Sequence, residues 1–183
     1  MGKFLLKGLF ILCFCCCLVG KSFAEKNEVI EFRTIGIPPY GIQFNEKLSG
    51  VYFDAANRLT SVAGYRVNNR IAPYARIILE LKAGITDMTI MFKYPQLEEH
   101  VIYIAPLKPL KIVVMGLEGT SFDSLNSLKG KAVAYLRGAK FSDAIDNDSD
   151  IARVNTTSFT QGVKMLMLGR VDAIIGPMDP LIF

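Results

Sequence analysis

Two stretches far apart in this sequence follow one pattern: the end of an apolar-striped helix, a glycine, two residues, an aspartate and an apolar strand. Leu79 to Met91 carries Gly84 and Asp87, and Lys164 to Ile175 carries Gly169 and Asp172, so the glycine-to-aspartate spacing is three in both. Glycine closes a helix because it enters the left-handed backbone region at little steric cost. A strand that follows at once belongs to the helix-strand alternation of an α/β fold. The repetition predicts two α/β lobes built alike, with a join near Ala105 to Pro109, where two prolines in four residues interrupt the pattern.

The rest of the chain fits that frame. Val29 to Ile35 reads as a strand that alternates Ile30 and Phe32 with Glu31 and Arg33, ended by Gly36-Ile37-Pro38-Pro39. Tyr52 to Ala63 predicts a helix whose apolar stripe holds Tyr52, Ala55, Ala56, Leu59, Val62 and Ala63, closed by Gly64. A strand from Tyr65 to Ile71 leads to a helix from about Pro73 to Ala83, with proline in its first turn. Asp87 to Phe92 reads as a buried strand. In the second half, strands are expected at Leu110 to Met115, Lys131 to Leu136, Ile151 to Asn155 and Val171 to Ile175. Short helices are expected at Ser124 to Lys129 and Phe141 to Asp146, and a longer one at Ser158 to Leu168, where Ser158 and Gln161 have capping-box spacing. Gly176-Pro177-Met178-Asp179-Pro180 breaks the last strand. Asp54, Asp87 and Asp172 read as structural acids at element starts, His100 as a surface residue, and Met88, Met91, Met165 and Met167 as core filling.

The four cysteines, Cys13, Cys15, Cys16 and Cys17, all fall in one apolar run, Leu9 to Val19, behind a basic start with Lys3 and Lys7. A run of about a dozen residues is too short to span a bilayer, and Ser22-Phe23-Ala24 places small residues where a signal peptidase reads. Residues 1–24 are therefore expected to be a cleaved secretory signal, which makes the mature chain periplasmic without stable membrane insertion. The signal carries three of the 21 basic residues and none of the 17 acidic ones, leaving 18 against 17. Dispersed charge so nearly balanced gives no nucleic-acid footprint. A mature chain without cysteine and with His100 as its one histidine has no thiol nucleophile, no disulfide and no His-rich metal site. No cofactor is implied.

A set of ordered segments resembles the periplasmic solute-binding proteins of family 3, the amino-acid-type receptors of ABC importers. They are Pro38-Pro39-Tyr40, Leu48-Ser49-Gly50-Val51-Tyr52-Phe53-Asp54, Leu81 to Ile90, Tyr103-Ile104-Ala105-Pro106-Leu107, Ser127 to Ala134, and Leu168 to Ile175. The resemblance implies a type II periplasmic-binding-protein-like α/β fold of two lobes, residues 25–107 and a partial 108–183, closing on a small solute. It also implies an incomplete second lobe and return segment, because the family continues beyond the point matching Phe183. The solute would pass to an ABC transporter permease or to a membrane sensor. A dehydratase-like enzyme on the same fold, using Glu98, Glu99 or Asp179 as a general acid, and a truncated product without receptor activity are the alternatives; a non-enzymatic binder is the expectation.

The same resemblance implies the site. Tyr40 has the setting of the ring that covers the solute, and Phe92, Lys93 and Tyr94 leave their strand where polar ligand contacts are placed. The turn Arg137-Gly138-Ala139-Lys140 matches one whose backbone amides hold a carboxylate. Tyr74 and Arg76 open a helix whose N-terminus faces the cleft, and Asp179 is placed to meet an amine. The family's carboxylate-clamping arginine falls near Leu97 here, among Gln96, Glu98 and Glu99, so it is missing; its amine-binding acid falls at Pro177, two positions before Asp179. Standard α-amino acids are accordingly expected to bind weakly. Intact mass of the exported protein should show a chain starting after Ala24; retained cysteines or a lipid adduct would refute the signal assignment.

Overall fold

The computed structural model describes residues 26–183; the predicted signal, its cysteines and the cleavage point lie outside them. In chain order the first part comprises β1 (Lys26–Ile35), a hairpin of β2 (Ile42–Phe44) and β3 (Lys47–Ser49), α1 (Val51–Val62), β4 (Tyr65–Ala72), α2 (Tyr74–Lys82) and β5 (Met88–Ile90). These three long-range strands form a parallel sheet in the order β4-β1-β5. A 3-10 turn at Pro95–Leu97 and an irregular crossing follow. The second part comprises β6 (Ile112–Met115), a 3-10 turn at Leu125–Leu128, β7 (Ala132–Leu136), α3 (Asp143–Asp146), β8 (Ala152–Thr156), α4 (Phe159–Met167), β9 (Ala173–Pro177) and α5 (Met178–Ile182). Its sheet runs β6-β9-β7-β8, parallel except that β6 pairs antiparallel with β9.

Both sheets share one core topology. Among the parallel strands of each half, the first is flanked by the second on one side and the third on the other, β4-β1-β5 and β8-β7-β9. The predicted repeat is visible atom by atom. After α2 the Ile85 amide returns to the Glu80 carbonyl at 2.9 Å, and after α4 the Arg170 amide returns to the Met165 carbonyl at 2.9 Å, with Gly84 and Gly169 at φ 65 and 64. Then Asp87 Oδ2 accepts from the Glu31 amide at 2.8 Å while its own amide donates to the Glu31 carbonyl. Asp172 does the same with Ala132, its Oδ2 accepting at 2.7 Å. Each aspartate thus fastens the third strand to the first by a side-chain bond that no hydrophobic pattern could supply.

Two adjacent residues of β1 show how its helices are held on opposite faces, as right-handed crossovers require. Thr34 donates to Asn69 at 2.8 Å, and Asn69 in turn donates to the Phe53 carbonyl and to Asn57 on α1. On the other face Arg33, only 7% exposed, gives its Nε to Glu80 of α2 at 2.7 Å and its Nη1 to Glu31 at 3.0 Å. Glu80 also accepts from Arg76 at 2.8 Å and from Thr86 at 3.2 Å. The main apolar cluster takes Ile35 of β1 with Tyr74 and Ile77 of α2 from the first half, and Ala134, Leu136 and Ile174 of the second sheet with Phe159 of α4 from the second, so it joins the two halves. A separate cluster under the far face of the second sheet holds Val133, Tyr135, Ala173 and Ile175.

Several expectations are corrected. The buried face of α1 runs through Ala56 and Thr60, whereas Leu59 and Val62 are 51% and 72% exposed, because the asparagine network orients the helix. The strand expected over Asp87 to Phe92 is confined to Met88–Ile90 and is half-buried, since β5 pairs on one side alone among the described residues. Pro73 stands at the N-cap of α2 rather than inside its first turn. The short helix at Ser124 to Lys129 is a 3-10 turn, and that at Phe141 to Asp146 shortens to α3. The last strand continues through Pro177, which caps α5. Met167 is 72% exposed. Ser158 does accept from the Gln161 amide, at 3.1 Å, but the Gln161 side chain reaches back to the Thr157 amide, one residue before the cap.

The hydrogen bond from Arg76, with those from Arg33 and Thr86, holds the Glu80 carboxyl below its ordinary 4.5 against the opposing effect of burial. A carboxylate whose folded value is depressed contributes stability that is complete above the unfolded value and is lost as pH falls through the folded one. Glu80→Gln should therefore cost about 2 kcal/mol at neutral pH, typical of a lost charged hydrogen bond. Urea unfolding should also show a shallower loss of stability below about pH 4.5 in the variant than in the parent; equal acid slopes would contradict the role of Glu80.

Candidate functional site

All the parallel strands of both sheets deliver their carboxyl ends to loops at one seam. The first half contributes residues 36–41 after β1, Pro73 after β4 and residues 91–94 after β5; the second contributes residues 137–141 after β7, Thr157 after β8 and the start of α5 after β9. Carboxyl ends of parallel strands are where α/β folds assemble sites.

Tyr40 is fixed at this seam by backbone geometry. The first amides of α1 donate to the carbonyls before it: Val51 to Pro39 at 3.0 Å and Tyr52 to Tyr40 at 2.9 Å. Gly50 permits the approach, with φ 125, and a side-chain carbon there would stand 2.5 Å from the Tyr40 carbonyl oxygen. The consequence is that the Tyr52 ring stacks on Tyr40, centroids 4.3 Å apart and 9° from parallel. Tyr40 is 4% exposed, and its hydroxyl donates across the seam to Asp179 Oδ2 on α5 at 3.4 Å. Burial pushes the Tyr40 and Tyr74 phenols upward, with Asp179 adding to the effect on Tyr40, so both remain protonated donors at neutral pH.

A second aromatic group stands beside the first. Tyr74, the first residue of α2, lies 6.2 Å from Phe92 and meets Tyr94 edge-on at 6.4 Å. Tyr94 donates its hydroxyl to Gln96, and its backbone is held from the other side by the Tyr103 hydroxyl, which accepts from the Tyr94 amide and donates to its carbonyl. Lys93 between them is exposed; it pairs with Glu98 at 3.0 Å, and its ammonium lies 5.5 Å from the Tyr103 ring centre.

Two adjoining grooves open along the seam. The larger, about 600 Å³, is lined by Tyr74, Ala75, Arg76, Leu79, Glu80 and Ile85 from the first half and by Leu136, Arg137 and Thr157 from the second, with Pro73 at its lip. The smaller, about 330 Å³, shares Pro73, Tyr74, Leu136 and Thr157 and extends to the Gly36–Gln43 loop. Of the residues singled out by sequence, Tyr74, Arg76 and Arg137 thus meet on the larger groove. Tyr40, Phe92 and Tyr94 belong to the packed seam beside it, and Gly138 lies against Ala75. Asp179 is bonded to Tyr40, while Lys93 and Lys140 are exposed and line neither groove. Reading the sequence missed Glu80, Leu136 and Thr157, and it took Tyr52 for a core residue; the stacking of Tyr52 depends on Gly50, the one signal that marked it. Among the described residues no three potential metal ligands converge, and no helix is long and apolar enough to cross a membrane.

This arrangement matches solved two-lobe binding proteins. An ancestral arginine-binding protein bound to glutamine aligns with a TM-score of 0.74 at 22% identity, covering 84% of this chain and 71% of that one. The substrate-binding protein of an amino acid ABC transporter gives 0.68 at 22% identity, covering 82% and 70%. A periplasmic binding protein of Salmonella typhimurium with high arginine specificity gives 0.70 at 21% identity, covering 82% and 69%. No protein-family model matches the sequence, and no curated protein matches it either. The chain has the two-lobe α/β fold of periplasmic binding proteins.

Gly50→Ala forces a side chain into the left-handed region and onto the Tyr40 carbonyl, so it should destabilise by roughly 1–3 kcal/mol. With no tryptophan in the chain, near-ultraviolet circular dichroism reports the tyrosines, and the variant should lose part of that signal as Tyr40 and Tyr52 separate. An unchanged spectrum and midpoint would show that the loop tolerates the extra carbon.

Proposed function

We propose that this protein is a periplasmic solute-binding protein that holds a small polar solute, amino-acid-like or another small organic ion, between its lobes. The observation that carries the proposal is the pair of grooves walled by strand ends from both sheets, a position where closing of one lobe on the other buries a ligand. Residues 25–107 and 108–183 are assigned to the two lobes. Tyr40, Tyr74, Arg76, Phe92, Lys93, Tyr94, Arg137, Gly138, Lys140 and Asp179 are assigned to the solute or to the surfaces that close on it, and an ABC transporter permease or a membrane sensor is the assigned recipient. The binding of arginine and glutamine by proteins of the same fold supports this reading.

An enzymatic reading on the same fold would need a carboxylic acid kept protonated in the cleft. The acid that lines the larger groove, Glu80, is instead held ionised by Arg76 and Arg33, and Glu98 is paired with Lys93. This chemistry favours binding without turnover.

Thermal unfolding in the presence of a panel of amino acids, amines and small carboxylates tests the proposal, since a ligand at one hundred times its dissociation constant stabilises by about 2.7 kcal/mol. At least one compound should raise the midpoint, and the gain should shrink in a Tyr74→Ala variant. A panel without any shift would refute solute binding at the seam.

A further inference from the structure

The larger groove has two guanidinium groups and no free acid, and that imbalance names a class of solute. Building on solute binding at the seam, we propose that the groove between Arg76 and Arg137 takes a small organic carboxylate with an apolar body and without an amine.

The charge inventory supports it. Glu80 is the acid on the wall, and its oxygens are already engaged: Oε1 accepts from Arg76 Nε, and Oε2 accepts from Arg33 Nε and from the Thr86 hydroxyl. An incoming ammonium finds there only a carboxylate that already accepts three hydrogen bonds, two of them from guanidinium groups. Asp179, the other acid at the seam, does not line this groove. Arg76 spends only its Nε on Glu80, so its two terminal amino groups are without a protein partner among the described residues. Arg137 makes no side-chain hydrogen bond and no ion pair among them, although its amide is fixed to the Thr156 carbonyl at 2.9 Å. The two guanidinium groups come from different lobes, one from α2 and one from the turn after β7, so a carboxylate between them would bridge the seam. Planar guanidinium ends match carboxylate geometry.

The remaining wall sets the body of the ligand. Leu79 and Ile85 are 67% and 56% exposed on the groove, and Leu136 closes its base. An apolar body would remove this surface from water, the favourable counterpart to the charged end. A zwitterionic α-amino acid would bring its ammonium into the field of both arginines without an acid to receive it, and so should bind less well than its 2-oxo analogue.

Two matched sets test this with the full chain by isothermal titration calorimetry. One is 4-methyl-2-oxopentanoate, leucine and 3-methylbutylamine; the other is phenylpyruvate, phenylalanine and 2-phenylethylamine. In at least one set the oxo acid should bind about tenfold or more tighter than the amino acid, and the amine should give no binding, as loss of one charge-assisted contact implies. Arg137→Gln, which breaks no bond within the fold, should leave the melting midpoint unchanged and weaken the oxo acid by about tenfold. Added salt should weaken it as well, because the groove is open. Amino acid or amine binding as tight as the oxo acid, no binding in either set, or an oxo-acid affinity indifferent to Arg137→Gln would each overturn the proposal. A shift with arginine or glutamine in the same protein would then show that seam binding stands while the anionic class is wrong.

Discussion

A guanidinium buried in the central strand of the first sheet is the constraint on which the rest of this half depends. Taking Arg33 out of water costs several kcal/mol unless its donors are met; Glu80 meets its Nε, and Glu31 and the Phe32 carbonyl meet its Nη1. Glu80 must therefore face the sheet from the last turn of α2. Helical geometry then places Arg76, one turn earlier, at the seam, and sets Pro73 and Tyr74 on the groove's lip. The ion network that fixes the helix thus also neutralises the groove's acid, and the electrostatic character of the site follows from a packing requirement.

The second half reaches the same layout without a buried arginine. There Ala132 stands where Glu31 stands in the first, and Asp172 fastens the start of β9 to it in the way Asp87 fastens β5 to Glu31. The apolar cluster does what the ion network does elsewhere: β7 sends Ala134 and Leu136 toward the shared core and Val133 and Tyr135 to the far face. With both sheets fastened alike, their strand ends face each other, and contacts such as Tyr40 with Asp179 tie the lobes directly.

What the sequence determined by itself is what short-range stereochemistry encodes. Glycine at a helix end, aspartate three residues on, proline at the entry to α2 and serine at the cap of α4 act within a few bonds, so the strands, the longer helices and the duplication of the lobes could be read from spacing. Tyr40, Tyr74, Arg76 and Arg137 were named through the family resemblance rather than through spacing, and each follows the end of a parallel strand. Tertiary structure alone decided the partners. Leu59 and Val62 look like core residues and lie in solvent, while Asn57 turns inward because Asn69, itself held by Thr34 of β1, donates to it, and Thr60 is buried with its hydroxyl bonded back to the Ala56 carbonyl. Lys93 and Arg137 look alike as free cations, yet one is taken by Glu98 and the other is left open on the groove. Pairing such as Thr34 with Asn69 and Arg33 with Glu80 depends on distances between segments many residues apart, which no local pattern records, and the second of these helps to set the charge of the groove.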